Sequence, residues 1–531
     1  MPAPAAPRPN FLVFIADQLR ADHLGCYGNG IVQTPAIDRL AAQGFTADRF
    51  HVASPICMPN RASLFTGRMP SLHGVRHNGI PLALDAVNFV EALRAEGYRT
   101  ALVGKSHLQN ITGNPPAWPR DPARRGEPEA VERRGNYEQE SATSWRNDPK
   151  HDVDLPYYGF ERVYLTVEHG DDIQGHYRRW VRAERADADT LLGQKNAIPT
   201  PDLALSAARQ AWRTRVPEEL HPNAYCALMS KRVLEEAARE QKPFFLFCSF
   251  ADPHHPFTPP GKYWDMYRPA DVELPRSFAP GANRAPPPPH VAALLAARDE
   301  GRAVKHTPQL FACTEAEARE AIALNYGSIS FIDDMVARVL ARLDALGLAD
   351  NTVVIFTSDH GDFMGDHQLL LKGPIHYRGL IRVPFIWRDP AGPRGRRNDA
   401  LCGALDFAPS ILARAGLRPW NGLQGADIGA LITGAASAHH AELLIEEEGQ
   451  RPMAPFAERV RMRSLVTESH RLSLYDGVAW GELYDTAADP DEMVNLWDNT
   501  ARAGLRAELL QRLALKMIAL SETSPHPTAM A

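Results

Sequence analysis

Phe11-Leu-Val-Phe-Ile15, running directly into Ala16-Asp17-Gln18, sets the reading of the whole chain. Five consecutive apolar residues of aromatic and branched type suit a strand buried on both faces, not one alternating between core and water. Three more runs share this build. Thr100-Ala-Leu-Val103 leads into Gly104-Lys105-Ser106-His107, and Phe244-Phe-Leu-Phe-Cys-Ser-Phe250 into Asp252-Pro-His254-His255-Pro-Phe257. Thr352-Val-Val-Ile-Phe-Thr-Ser358 leads into Asp359-His360-Gly361-Asp362. Helical patterns fill the intervals at Pro35 to Gln43, Phe89 to Glu96, Ala224 to Glu240 and Ala316 to Leu346. Strand alternating with helix predicts an α/β fold: a doubly wound, mostly parallel central sheet flanked by helices. Ligands of such sheets sit beyond the carboxyl ends of the strands. All four runs deliver ionisable or metal-capable residues to that edge.

The remaining chain divides around this frame. From Leu108 to His221 the periodicity is lost, and the stretch reads as an insertion of loops and short helices over the site or at an oligomer contact. A second irregular stretch, Pro259 to Thr307, contains Ala285-Pro-Pro-Pro-Pro289 and reads as a linker, as Gly425 reads as a turn. The alternation in Arg463 to Tyr475 predicts antiparallel strands, and a last helix is expected from about Arg502 to Leu520. This gives a catalytic α/β domain over residues 1–425 and a small α+β subdomain over 426–531, with a small antiparallel sheet and the terminal helix.

Composition narrows the function classes. The 531 residues are 44% hydrophobic and 23% charged, as expected of a globular chain. A net charge of −6 argues against a nucleic-acid partner. No apolar run approaches the length of a membrane span, and the opening MPAPAAPRPN has no secretory-signal character. The six cysteines are scattered without a CxxC pair, which excludes a zinc knuckle or dithiol centre and makes a cytoplasmic location the expectation. Each cysteine reads first as a buried small hydrophobe.

Cys57 fits that reading poorly. It lies in Ser54-Pro-Ile-Cys57-Met-Pro59-Asn-Arg61-Ala-Ser-Leu-Phe-Thr-Gly67-Arg68. Pro59 is expected to open a helix that ends at Gly67, with Cys57 just before its anion-favouring N-terminus and Arg61 one turn on.

Cys57-x-Pro59-x-Arg61 followed by Ala62-Ser-Leu-Phe-Thr-Gly67-Arg68 resembles the signature of formylglycine-dependent type I sulfatases. These belong to the alkaline phosphatase superfamily, together with the similar phosphonate monoester hydrolases. The resemblance continues through Phe14-Ile-Ala-Asp17-Gln18, Gly104-Lys105-Ser-His107, Pro253-His254-His-Pro-Phe257, Thr357-Ser-Asp359-His360-Gly361, Lys372, Glu482-Leu-Tyr-Asp485 and Asp489 to Asn495.

It implies an alkaline phosphatase-like fold and a metal-dependent sulfuric ester hydrolase, arylsulfatase-like, acting through a covalent sulfo-enzyme hemiacetal. The nucleophile would be formylglycine, made from Cys57 by a formylglycine-generating maturation enzyme. Asp17, Gln18, Asp359 and His360, joined by residue 57, would hold one divalent cation. Arg61 and Lys105 would hold the nucleophile, His107 would take its proton, and Lys372 would contact the transferring group. His254 would be the acid for the departing oxygen, with His255 as wall or surface, and Asn78 would donate to a substrate oxygen.

The commoner family pattern has Asp-Asp and Asp-Asn where this chain has Asp17-Gln18 and Asp359-His360. Oxygen ligands suit Ca²⁺ and an imidazole suits Mn²⁺, and the same pairs resemble the phosphonate monoester hydrolase and choline-sulfatase-like branches. The alternative function is therefore a phosphonate monoester hydrolase or phosphodiesterase at the same site. A further alternative is a catalytically silent binding scaffold. Asp362, Asp366 and His367 read as loop polar residues. A homo-oligomer, dimer or tetramer, is compatible with the insertion and the C-terminal elements.

Overall fold

Alternate residues of each buried run face opposite cores. Phe11, Val13 and Ile15 pack on one side of the sheet with Phe245, Phe247, Val353 and Ile355. Leu12, Phe14 and Ala16 pack on the other with Leu246, Cys248, Val354 and Phe356. Both faces are dry, which is why these runs do not alternate. The computed structural model describes residues 8–124, 126–279 and 286–530. The first seven residues of the opening segment and Ala285 of the Pro-rich run lie outside the described residues.

One sheet contains β1 (Asn10–Ala16), β2 (Phe45–Ala47), β3 (Arg99–Gly104), β4 (Arg162–Val167), β5 (Gln174–Gly175), β6 (Phe244–Phe250), β7 (Thr352–Ser358), β8 (Phe385–Arg388) and β9 (Arg396–Asn398). Their order is β9-β2-β8-β7-β1-β6-β3-β4-β5. The five long strands from β7 to β4 run parallel, and β8 and β5 are antiparallel to their neighbours. Ala16 pairs with both Phe250 and Ser358, so the segments after β1, β6 and β7 emerge at one level. The expected mostly parallel α/β sheet is present.

Helices cover both faces. Among them are α1 (Pro35–Ala42), α2 (Cys57–Thr66), α3 (Phe89–Ala95), α4 (Pro222–Glu240) and α5 (Glu315–Ala345). The long α5 begins at a reciprocal cap, in which the Thr314 side chain accepts from Glu317 N–H and the Glu317 carboxylate accepts from Thr314 N–H. Beyond the sheet, β10 (Glu442–Glu448), β11 (Arg461–Thr467), β12 (His470–Tyr475) and β13 (Gly481–Asp485) form a separate antiparallel sheet, followed by α6 (Ala503–Ala519). Buried Arg471 holds this sheet together, paired with Glu482 at 3.0 Å and with Glu492. Glu446 N–H donates to Ala53 C=O at 2.9 Å, tying β10 to the segment that leads into α2.

Three expectations are corrected. The stretch 108–221 is not all loops and short helices: β4 extends the main sheet parallel to β3, and α-helix His176–Glu184 follows it. Charged Arg162 and half-exposed Tyr164 disguise this strand, which lies toward the edge. The Pro-rich linker contains a helix, Pro289–Asp299, because a proline at the first position needs no N–H partner. Cys57 is the first residue of α2, not the residue before it; Ile56 in extended conformation is the cap. Gly67, with φ +63°, ends that helix as expected. Of the six cysteines, all free, five are buried and Cys26 is half-buried. No helix among the described residues is long and apolar enough to cross a membrane.

Gly104 is the tightest point at the sheet's active edge. Its φ is +97°, and a Cβ there would lie 1.8 Å from the Ser249 carbonyl oxygen, which also accepts from Lys105 N–H at 3.0 Å. Gly104→Ala is expected to destabilise the fold by about 2 kcal/mol or more, read as a lowered midpoint in urea unfolding; an unchanged midpoint would contradict this packing.

Candidate active site

Four parallel strand ends and one helix start meet around Cys57. Asp17 and Gln18 follow β1, Lys105 and His107 follow β3, His254 and His255 follow β6, and Asp359 and His360 follow β7. Ligand-type atoms of Asp17, Cys57, Asp359 and His360 all lie within 4.8 Å of one another, and all four residues are buried. Cys57 Sγ is 3.1 Å from His360 Nε2, 3.1 Å from Lys372 Nζ and 3.8 Å from Asp17 Oδ1.

Buried charge here is paired. Arg61 Nε donates to Asp359 Oδ2 at 2.7 Å, its terminal nitrogen lies 3.6 Å from Asp17, and it also donates to Lys105 C=O and Ser249 Oγ. Lys105 Nζ contacts Asp17 and lies 2.6 Å from His169 Nε2. Burial alone would raise the Asp17 carboxyl, but Lys105, His254, His169 and Arg61 hold it well below the usual carboxylate range. Burial and Asp17 would raise Asp359 as well, and Arg61, His360 and Lys105 reverse this. Cys57 is pushed up by burial and Asp17, yet Lys105, Lys372 and His360 bring it below an ordinary thiol.

These donors fit a divalent cation. The neighbouring cations keep both carboxylates low, and His360 Nδ1 faces Gly361 C=O at 2.8 Å, which turns Nε2 into the cluster as the atom that would ligate. Nε2 lies 3.5 Å from Asp17 Oδ1 and 3.8 Å from Asp359 Oδ1. Gln18, at φ +64°, is fixed by its N–H to Asp359 Oδ1, and its side-chain oxygen accepts from Lys372 Nζ at 3.0 Å.

The cluster opens onto a cleft of about 440 Å³ lined by Cys57, Asn78, His107, His169, His254 and Lys372, among others. Lys372 Nζ lies 2.8 Å from His254 Nε2, and the His254 ring stacks on His169 at 3.7 Å. Burial, then the neighbouring cations, hold His107 and His254 well below an ordinary imidazole. His107 shares the cleft with Cys57 but makes no hydrogen bond to it, and its Nδ1 has no partner among the described residues. Asn78 uses its side-chain oxygen to accept from Met58 N–H at 3.1 Å, anchoring the first turn of α2 beside the cleft.

A family model described as Sulfatase matches residues 9–417, and one described as N-sulphoglucosamine sulphohydrolase, C-terminal, matches 365–518. The chain belongs to the sulfatase family. It is a hydrolase of that family, and its curated relatives span its length. An arylsulfatase of Clostridium perfringens is 27% identical over 96% of this chain and 94% of its own. A multifunctional alkaline phosphatase superfamily protein of Trinickia caryophylli, PehA, is 28% identical over 95% and 94%. Among solved structures, a phosphonate monoester hydrolase of Agrobacterium radiobacter superposes with a TM-score of 0.76 at 25% identity, covering 99% of this chain and 98% of that one.

Within this sulfatase-family site, several readings from sequence change. Asp362 lies in a loop, as read, but it is fully buried and accepts from the Gln18 amide and from Met364 and Leu371 N–H. Asp366 pairs with Arg20 at 2.6 Å, and His367 is buried and stacks on Tyr377 at 3.7 Å. His255 is buried behind Gln18, its Nδ1 3.2 Å from the Gln18 amide nitrogen, and is not a surface residue. Sequence reasoning missed His169 and Glu140. The signal for His169 was present, since Arg162 to Val167 is a strand-like run ending in Glu168-His169-Gly170. Glu140 left no such trace.

Glu140 fixes the loop that carries His107. Its carboxylate accepts from the N–H groups of His107, Leu108 and Gln109 at 2.7–3.1 Å and from the Tyr157 hydroxyl. Glu140→Ala leaves four buried donors unmatched and is expected to cost about 3 kcal/mol. Hydrogen exchange at residues 107–109 should accelerate, while Glu140→Gln, which keeps one acceptor, should lie between.

Proposed function

We propose that this chain is a metal-dependent sulfuric ester hydrolase whose nucleophile is formylglycine made from Cys57. The observation that carries this reading is the place of Cys57 Sγ, at the centre of Asp17, Asp359, His360 and Lys372 and on the floor of a cleft. Sγ marks where oxygen would stand on Cβ after conversion. Cys57 is 1% exposed, so conversion belongs to the unfolded or folding chain, before the maturation partner is shut out.

Asp17, Gln18, Asp359 and His360 would hold the cation, which supplies Lewis-acid activation of an oxygen on residue 57. The hydrated aldehyde supplies one oxygen for attack on the ester and a second whose deprotonation drives release. Arg61 and Lys105 keep the acidic ligands ionised and in place from beneath. Lys372, between Cys57 and His254, binds the oxygens of the transferring group and neutralises charge as the leaving bond lengthens. His254 would be the acid for the departing oxygen, for which the bound anion must raise it from the neutral form that burial, His169 and Lys372 favour, and His107, on the same cleft, would take the proton from residue 57. Glu140 holds His107 in place for this.

A second reading, hydrolysis of phosphonate monoesters or phosphodiesters with the same groups, is favoured by the full-length superposition on the Agrobacterium enzyme. Both reactions present a monoanionic tetrahedral centre with one leaving oxygen. The test is kcat/KM for an aryl sulfate, an aryl phosphonate monoester and an aryl phosphodiester, using protein whose residue-57 peptide is shown by mass spectrometry to carry the aldehyde. The aryl sulfate is expected to be best, and Asp359→Ala to lower both bound Mn²⁺ per chain and activity by 100-fold or more. A large preference for either phosphorus ester would transfer the assignment to the second reading. An intact thiol in protein from its native host would end the formylglycine account.

A further inference from the structure

The catalytic groups account for the floor of the cleft but not for its far wall. That wall comes from the segment between β10 and β11 and carries two guanidinium groups, Arg451 and Arg459, both half-buried. Among the described residues neither meets a carboxylate at ion-pair distance; Arg459 has only the His77 ring nitrogen at 3.1 Å. Their neighbours are paired: Arg76 with Glu448 at 3.3 Å and Arg463 with Glu446 at 3.0 Å. Burial pulls both Arg451 and Arg459 below the usual guanidinium range. Unpaired charge half-sunk in a cavity wall carries a solvation cost, which an anion on the bound ligand would offset.

The acids nearest the cleft leave this wall short of negative charge: Glu448, whose carboxylate acts on Arg459, is shared with Arg76 at 3.3 Å, and two others are pushed up by burial. Glu168 is pushed up to about 7 by burial, and its closest cation is Arg146 at 3.8 Å. Glu447 is pushed up to about 8 by burial and is held by His376 Nε2 at 3.1 Å. Beside Arg451 lies a further recess of about 70 Å³, lined by Ile56, Leu294, Leu310, Pro374 and Met453. Asn78, Lys372 and Arg451 line both spaces, so the recess continues the cleft from the reacting centre.

We propose that the leaving group carries a second anionic substituent, a carboxylate, sulfate or phosphate, read by Arg451 and Arg459, on an apolar or ring-shaped body that enters the recess. This rests on the hydrolase reading above and names its substrate class. The reacting group's own charge is met by Lys372 on the floor, so two additional guanidinium groups have no counterpart on a neutral alcohol or phenol. Their planar forks match an oxyanion in two-point geometry.

The test compares a carboxylated aryl sulfate with its carboxamide, two substrates that differ in one remote charge. For the wild-type, converted and metal-loaded protein, the carboxylate is expected to have a kcat/KM about tenfold higher, carried by KM and shrinking as salt is added. In the double variant Arg451→Ala/Arg459→Ala the ratio should fall to near one, and Arg451→Lys/Arg459→Lys should restore part of it. A ratio near one in the wild type, or a ratio that persists in the alanine variant, overturns the proposal. A calorimetric arm keeps this independent of catalysis: the product phenol bearing the carboxylate should bind the unconverted wild-type protein about tenfold tighter than its carboxamide. If no ester of any class is turned over but this binding difference stands, the hydrolase reading fails and the anion-reading wall remains. Equal binding of the two phenols, with or without turnover, overturns the wall.

Discussion

The pairing of Arg61 with Asp359 and Asp17 is the interaction on which the site depends. Two carboxylates from adjacent strand ends sit at zero exposure, where their mutual repulsion and lost hydration would favour protonation. Arg61 reaches both from α2 and also donates to Lys105 C=O and Ser249 Oγ, so one side chain joins four strand ends and a helix. Such a network adds little net stability compared with apolar packing, but removing one partner leaves uncompensated buried charge. What the arrangement supplies is geometry: it keeps two carboxylates low beside Cys57, one turn of helix from Arg61.

The parallel sheet makes this convergence possible at small local cost. Because β1 pairs with β6 and β7 in register at Ala16, the segments after all three emerge at one level. The segments after β1 and β3 turn sharply, with Gln18 and His107 both at positive φ. Backbone strain of this kind persists where surrounding contacts over-determine the conformation. Here Asp359 accepts from Gln18 N–H, and Glu140 accepts from three successive amides beginning at His107. The second layer of contacts thus holds the first in a shape the backbone would not adopt alone.

Much of this was legible in the sequence, and what was not has a physical reason. The runs at residues 11, 100, 244 and 352 announce doubly buried strands because no residue in them must meet water. Strand β4 escaped notice because its place toward the sheet edge admits Arg162 and a half-exposed Tyr164, which breaks the apolar run. Cys57, Arg61, Lys105, Asp359 and His360 stand in short motifs, and the structure brings them together. Glu140 and Asp362 act by accepting hydrogen bonds from residues that fold against them from up to 344 positions away, and spacing alone cannot encode that approach. In Asp359-His360-Gly361-Asp362 nothing local distinguishes the ligand-type acid from the one that braces Gln18.

Chemistry and selectivity come from different parts of the chain. The floor of the cleft is made by strand ends of the large sheet and by α2, which match relatives called arylsulfatase and phosphonate monoester hydrolase over nearly their whole lengths. Under the hydrolase reading proposed above, a scaffold shared that widely would supply what those named activities have in common, the grip on a tetrahedral anion with one leaving oxygen. What separates one substrate from another must then be sought where the leaving group lies. On the proposed reading those surfaces would be the cleft walls made by the segment after β3, with Ile111 and Trp118, and by the segment between β10 and β11, with Arg451 and Arg459. Neither is constrained by the register of the main sheet, so both can vary without disturbing Arg61, the acids or Cys57. The C-terminal sheet is fastened to the Ala53 carbonyl just before α2 by Glu446 N–H, so the second of these walls follows on from a strand anchored beside the start of the helix that carries Cys57.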